Sequence, residues 1–159
     1  MLEKTETLFR LMQEREMTIA VGESCTGGEL SAEFTSVPGA SKIFLGGIVA
    51  YTIEAKTALL GVSKELMAEN GAISRETAQA MAKGVAEATG ANIGMGITGV
   101  AGPAPMEGEE PGIVHVAIWR EGKSLWKKLD LKGQRESIRR QIVDASIALL
   151  LDELFGQKI

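Results

Sequence analysis

The sequence predicts an α/β fold built on a mixed sheet, and three observations carry that prediction. Short apolar, β-branched runs alternate with segments whose apolar residues recur at helical spacing. Two of the runs, Met17 to Val21 and Asn92 to Thr98, pass directly into polar, glycine-rich turns: Gly22-Glu23-Ser24-Cys25-Thr26-Gly27-Gly28 and Thr98-Gly99-Val100-Ala101-Gly102-Pro103. Two further β runs flank Glu121-Gly122-Lys123, which reads as a hairpin and makes the sheet mixed. A doubly wound sheet gathers such turns at its carboxyl edge, where ligands bind.

The elements follow in order. Leu2 to Glu16 carries Leu8, Leu11 and Met12 among charges, a surface helix with one apolar stripe. After the first strand and its elbow, Leu30, Phe34 and Val37 share a helical face over Glu29 to Ser36, which Val37-Pro38-Gly39 ends. Ile43 to Tyr51 reads as a strand, interrupted at Gly46-Gly47 by a bulge or close approach. Thr52 to Leu60 is a short helix containing Lys56, closed by Gly61. Another helix begins at Ser63 and ends at Asn70-Gly71. Arg75 to Ala88 is an Ala-rich helix with Ala78, Met81, Ala82 and Val85 on one face and Gly90 at its end. The proline- and glutamate-rich Ala104 to Pro111 is an exposed irregular loop, a solvated connector or a lid. The hairpin arms are Ile113 to Arg120 and Ser124 to Leu131, and Gln134 to Phe155 closes the chain as a long helix.

Length and charge bound the function. A chain of 159 residues forms one domain, 1–159, with a sizeable core. The single cysteine, Cys25, rules out an internal disulfide and points to a reducing compartment; with His115 the only histidine, no metal site is expected. The N-terminus lacks a secretory pattern and no apolar run reaches membrane-spanning length, so a cytoplasmic location is expected. With 17 basic and 21 acidic residues, the net charge of −4 disfavours nucleic acid. The apolar Ile147 to Phe155 and the Ile43 to Ala50 strand lead to an expectation of self-association into a homo-oligomer.

The first elbow holds the candidate chemistry. Its glycines permit positive φ, and the N–H groups opening the next helix face outward as donors to an anion or carbonyl oxygen; an ordinary N-cap by Ser24 or Thr26 is the alternative. Cys25 is a rival nucleophile if the helix N-terminus draws it toward the thiolate, although no second histidine exists to serve it. His115 lies within a strand and reads as a core or surface residue. Arg135, Arg139 and Arg140 crowd the start of the last helix, either solvated or paired with a phosphate or carboxylate.

Glu23-Ser24-Cys25-Thr26-Gly27-Gly28, Gly39-Ala40-Ser41, Tyr51-Thr52-Ile53-Glu54-Ala55-Lys56, Gly61-Val62, Thr98 to Pro103 and Arg135 to Arg140 occur in the order of, and together resemble, the competence-inducible CinA C-terminal domain family. The resemblance covers nearly the whole chain, in a form without the N-terminal domain of longer members. It implies a three-layer α/β/α domain with a mixed, mainly parallel five-stranded sheet, and an amidase that needs no cofactor and hydrolyses nicotinamide mononucleotide, a pyridine nucleotide, to nicotinate mononucleotide and ammonia. Carried over residue by residue, it implies Ser41 as nucleophile and Lys56 as its base with Tyr51 nearby. Ser24, Thr26, Gly27, Gly28, Thr98 and Gly99 then lie in the substrate loops, and Arg135 and Arg139 at the substrate. The chemistry agrees, since a desolvated lysine of lowered pKa is available to a serine, whereas the one histidine, placed within a strand, gives a Ser-His-Asp arrangement poor support. Two departures stand out. Ile53 occupies the asparagine position of the family pattern, removing a donor and an acceptor, and Ala104-Pro105-Met106 replaces an Asp/Gly-rich segment. A nucleotide-binding or regulatory module that keeps the pocket without turnover is the alternative function.

Overall fold

The computed structural model describes residues 1–157. Five strands form one sheet in the order β2-β1-β3-β4-β5: β1 (Ile19–Glu23), β2 (Phe44–Val49), β3 (Ile93–Gly99), β4 (Ile113–Arg120) and β5 (Lys123–Asp130). β1 pairs parallel with both β2 and β3, while β4 pairs antiparallel with β3 and with β5. Only β4 therefore runs against the other four. The helices α1 (Leu2–Glu14), α2 (Glu29–Thr35) and α6 (Arg135–Phe155) share one core with the sheet, and α3 (Ile53–Leu60), α4 (Lys64–Asn70) and α5 (Arg75–Thr89) cover the other face. The result is the three-layer α/β/α arrangement.

Strand alternation explains the two faces. In β3 the side chains of Ile93, Met95 and Ile97 enter the α1/α2/α6 core, and Gly94 and Gly96 turn toward α5. A Cβ on Gly94 would overlap the Ala82 carbonyl oxygen, and one on Gly96 the Ala78 carbonyl oxygen. The alanine face of α5 thus lies directly on the strand backbone, which neither an all-β-branched strand nor a leucine-rich helix permits.

Local signals end most elements where the sequence predicts. Thr52, Ser63 and Ser74 accept from the N–H groups three residues on at the starts of α3, α4 and α5, and Gly61, Gly90 and Gly156 close α3, α5 and α6 in the left-handed conformation. The first strand starts two residues late and continues through Gly22 and Glu23, because both pair with β2. The bulge falls at Leu45, where the register of β2 skips between Phe44 and Gly46. The hairpin turn is two residues, Glu121 and Gly122, both at positive φ, with Lys123 already in β5.

The apolar end of α6 does not supply the surface on which self-association was expected. Ile147, Leu149, Leu150 and Leu151 are buried within the chain, because α6 packs against α1 and the sheet. The β2 edge keeps Leu45 and Val49 exposed. Among the described residues no helix is long and apolar enough to cross a membrane.

Candidate active site at the carboxyl edge of the sheet

β1, β2 and β3 all end at one edge, and β4 begins and β5 ends there, since Gly99 pairs with Val114 and Ile113 with Asp130. The elbow after β1, the Ala50–Thr52 connection, the 98–112 loop and the first turn of α6 therefore meet. Two small adjoining cavities lie between them, each of about 210 Å³. Ser24, Tyr51, Gly99 and Met106 line both. The inner lobe adds Lys56, Ile53, Thr98, Ala72, Ile73 and Glu107; the outer adds Cys25, the Val100–Gly102 turn, Ala104, Pro105 and Arg135. A wider depression of about 770 Å³ lies apart, between Met1 and the start of α6, and shares no lining residue with either lobe.

Lys56 is the centre of the inner lobe. Its side chain reaches inward from α3, only 3% of the residue is exposed, and Nζ donates to Ser24 Oγ at 2.9 Å and to the Ala50 carbonyl at 3.1 Å. Burial lowers its pKa below the ordinary lysine value, and the Glu107 carboxylate pulls the other way. Ser24, itself buried, projects from the elbow at the end of β1.

The serine expected to face Lys56 is elsewhere. Ser41 sits exposed in a 3₁₀ turn, Ala40–Lys42, ahead of β2, at the amino edge of the sheet. The six residues of β2 separate that turn from the Tyr51 end. At about 3.3 Å per residue this is roughly 20 Å. The Ser41–Lys56 pairing is not formed, because β1-α2-β2 is a crossover unit whose strands run parallel, so that whatever precedes β2 lies at the edge opposite the elbow. Ser24 takes the place beside Lys56.

The elbow is held from within. The Glu23 carboxylate, fully buried, accepts from Leu30 N at 3.0 Å, Ser31 N at 3.0 Å and Ser31 Oγ at 2.6 Å. These are the helix-opening N–H groups that the sequence offers as ligand donors; they are spent on Glu23 instead, a negative charge at the positive end of α2. Arg139 braces the elbow from behind, donating to the Thr26 carbonyl at 2.9 Å and pairing with Glu29 at 2.9 Å. Thr26, Gly27, Gly28 and Arg139 therefore shape the elbow without lining either lobe, and the Thr26 hydroxyl is buried without a partner. Arg135 does reach the site: it donates to the Gly102 carbonyl at 2.7 Å and to the Tyr51 hydroxyl at 3.0 Å, tying the loop tip to the mouth. The Thr98 hydroxyl donates to the Ala72 carbonyl at 2.8 Å and forms part of the inner wall.

Cys25 lines the outer lobe, yet burial pushes its thiol up to about 12, so no thiolate forms near neutrality. His115 is buried outside both lobes; its Nδ1 accepts from Trp126 Nε1 at 3.0 Å, and burial lowers its pKa. Among the described residues no three His, Cys, Asp or Glu side chains converge as a metal site would need.

A profile of the CinA C-terminal domain matches residues 2–154. The chain belongs to the CinA C-terminal domain family. A CinA relative from Clostridium acetobutylicum, described as a putative competence-damage inducible protein, is 43% identical over 152 residues, covering 95% of this chain and 37% of its own length. One from Moorella thermoacetica, with the same description, is 45% identical over 148 residues, covering 92% and 36%. The chain thus spans a little over a third of these curated relatives. Among solved structures, the CinA superfamily protein of Klebsiella pneumoniae 700603 superposes with a TM-score of 0.95 at 30% identity over 98% of both chains. The competence/damage inducible protein CihA of Agrobacterium tumefaciens gives 0.90 at 31%, covering 94% and 93%.

Two contributors escaped the sequence reading. Glu23 occurs in the family motif but nothing about its neighbours marks it as a buried cap six residues before the helix start. Glu107 sits in a proline-rich connector, where an acid ordinarily means solvent.

Proposed function

We propose that the domain is an amidohydrolase that converts nicotinamide mononucleotide to nicotinate mononucleotide and ammonia, with Ser24 as nucleophile and Lys56 as general base and acid. The observation that carries the reading is the 2.9 Å contact between Lys56 Nζ and Ser24 Oγ, away from solvent, in a cavity of small-molecule dimensions. A lysine whose burial favours the neutral amine takes the proton of Ser24 as Oγ bonds to the carboxamide carbon. The Cys25 and Thr26 N–H groups, which donate to no other described residue, are the donors available to the developing oxyanion. On collapse the C–N bond breaks and Lys56 returns the proton to the departing nitrogen, giving ammonia and an acyl ester on Ser24. Water then attacks the ester, Lys56 takes one of its protons and passes it to Ser24 Oγ, and the carboxylic acid leaves, losing its remaining proton to solvent as the carboxylate. Arg135 at the mouth of the outer lobe is the phosphate partner, and Tyr51 holds it there.

Ile53 lines the inner lobe in place of an amide side chain, and this favours a second reading, a nucleotide-binding module without turnover. Ammonia release from nicotinamide mononucleotide by the purified domain separates the two. Release that disappears in Ser24→Ala supports the amidase; calorimetric binding of the nucleotide without any release supports the module.

A further inference from the structure

The 104–111 segment carries one side chain that the reaction above does not use and that the fold places with care. Glu107 belongs to an exposed stretch of the loop but lines the inner lobe, where its carboxylate accepts from Ile73 N at 2.9 Å and Ala72 N at 3.3 Å. A Cβ on Gly71 would stand 2.9 Å from Oε2, and the positive φ of Gly71 also favours glycine there, so this position leaves the carboxylate its room. The other groups around Lys56 carry no negative charge at neutral pH. From the elbow come Ser24 and the un-ionised Cys25, from β3 Thr98, from the turn before α5 the apolar Ala72 and Ile73, and from the mouth Tyr51 with Arg135. Glu23, also on the elbow, is turned to α2.

We propose that Glu107 is a positioning residue for Lys56: fixed on the Ala72 and Ile73 N–H groups, its carboxylate supplies the counter-charge for the ammonium that Lys56 becomes each time it takes a proton from Ser24 or from water. A buried lysine alone is readily neutral but holds a transferred proton poorly; a fixed anion across the cavity stabilises the charged form that appears only during turnover. The direction agrees with the opposing pull that Glu107 exerts on Lys56 against burial. The catalytic meaning of this inference rests on the amidase reading, whereas the titration of Lys56 does not.

The test is the titration of Lys56, followed by the ¹³Cε resonance of lysine-labelled protein and identified by its loss in Lys56→Met. In Glu107→Gln the midpoint is expected to fall by on the order of one pH unit, and the rising limb of kcat/KM against pH to move down with it while the plateau drops about tenfold. If Glu107 only pins the loop, its loss admits water, and the Lys56 midpoint rises toward the ordinary lysine value. A rise, or no movement, overturns the proposal. Glu107→Asp keeps the charge on a shorter arm and should fall by less than Glu107→Gln; an equal fall also overturns it. A parent protein that releases no ammonia would remove the amidase reading and leave the titration result to decide the role of Glu107.

Discussion

The carboxyl and amino edges of the sheet each present a serine beside a glycine turn, and the two serines have different chemistry. Ser24 is buried with an amine 2.9 Å from its oxygen; Ser41 is exposed beside Lys42 in a turn whose side chains make no described hydrogen bond. The difference lies in direction. Three parallel strands deliver their following loops to one edge, where Ser24 and Lys56 are packed out of water and Arg135 stands at the mouth. The preceding turns go to the other, where Ser41 and Lys42 stand exposed. A nucleophile is made by its neighbours more than by its own side chain.

The sharpest way to break that comparison is to remove the serines one at a time. Ser24→Ala and Lys56→Ala are each expected to lower kcat for ammonia release on the order of a thousandfold or more, with the double variant little worse, because the pair acts as a unit. Ser41→Ala should retain parental kcat. A dead Ser41→Ala beside an active Ser24→Ala would reverse the assignment of the edges.

Next in size is the carboxylate that shapes the carboxyl edge. Glu23→Ala leaves the Leu30 and Ser31 N–H groups and the Ser31 hydroxyl buried without their acceptor. The expected loss of stability is about 3 kcal/mol, read from urea unfolding. A loss comparable to that of an exposed glutamate would mean the elbow is held by Arg139 instead.

Arg135→Ala sharpens the comparison on the ligand side. It should raise KM for the nucleotide roughly ten- to hundredfold with kcat largely kept, since a phosphate contact is made equally in ground and transition states. An unchanged ratio of nucleotide to nucleoside activity would remove the phosphate assignment.

The pH dependence comes next. Because the folded pKa of Lys56 lies below the ordinary 10.5, the unfolded chain binds one more proton between those two values. Unfolding free energy therefore rises with pH across that window, by up to about 1.4 kcal/mol per unit, and the penalty is fully present below the folded pKa. Lys56→Met should lose this component of the slope in urea titrations run at a series of alkaline pH values; an identical slope would place the lowered pKa elsewhere. The smallest effect is expected for Cys25→Ala, whose thiol is pushed up to about 12 by burial; kcat should stay within about threefold.

Much of the carboxyl edge was legible before any tertiary structure. Gly-rich turns after Val21 and Thr98 marked the two loops, and six of the residues singled out, Ser24, Tyr51, Lys56, Thr98, Gly99 and Arg135, do line the cavity. The misplacement of Ser41 was avoidable in principle, since a strand-helix-strand unit already implies that residues before the second strand and residues after the first lie at opposite edges. The roles of Glu23, Arg139 and Glu107 had no such signal: each depends on where a carboxylate or guanidinium tip ends up, and a polar residue in a turn reads the same whether it faces water or a buried amide.

By itself the sequence determined the kinds and limits of the elements, because these rest on contacts within a few residues: the Thr52, Ser63 and Ser74 caps, the left-handed glycines that close helices, the alternation in β3, the tight turn at Glu121-Gly122. Only the tertiary structure decided which serine the lysine meets. Ser24 and Lys56 are 32 residues apart, and their contact depends on β1 lying between β2 and β3 with all three parallel, a property of how helices and strands pack around two cores and not of any stretch of chain read alone.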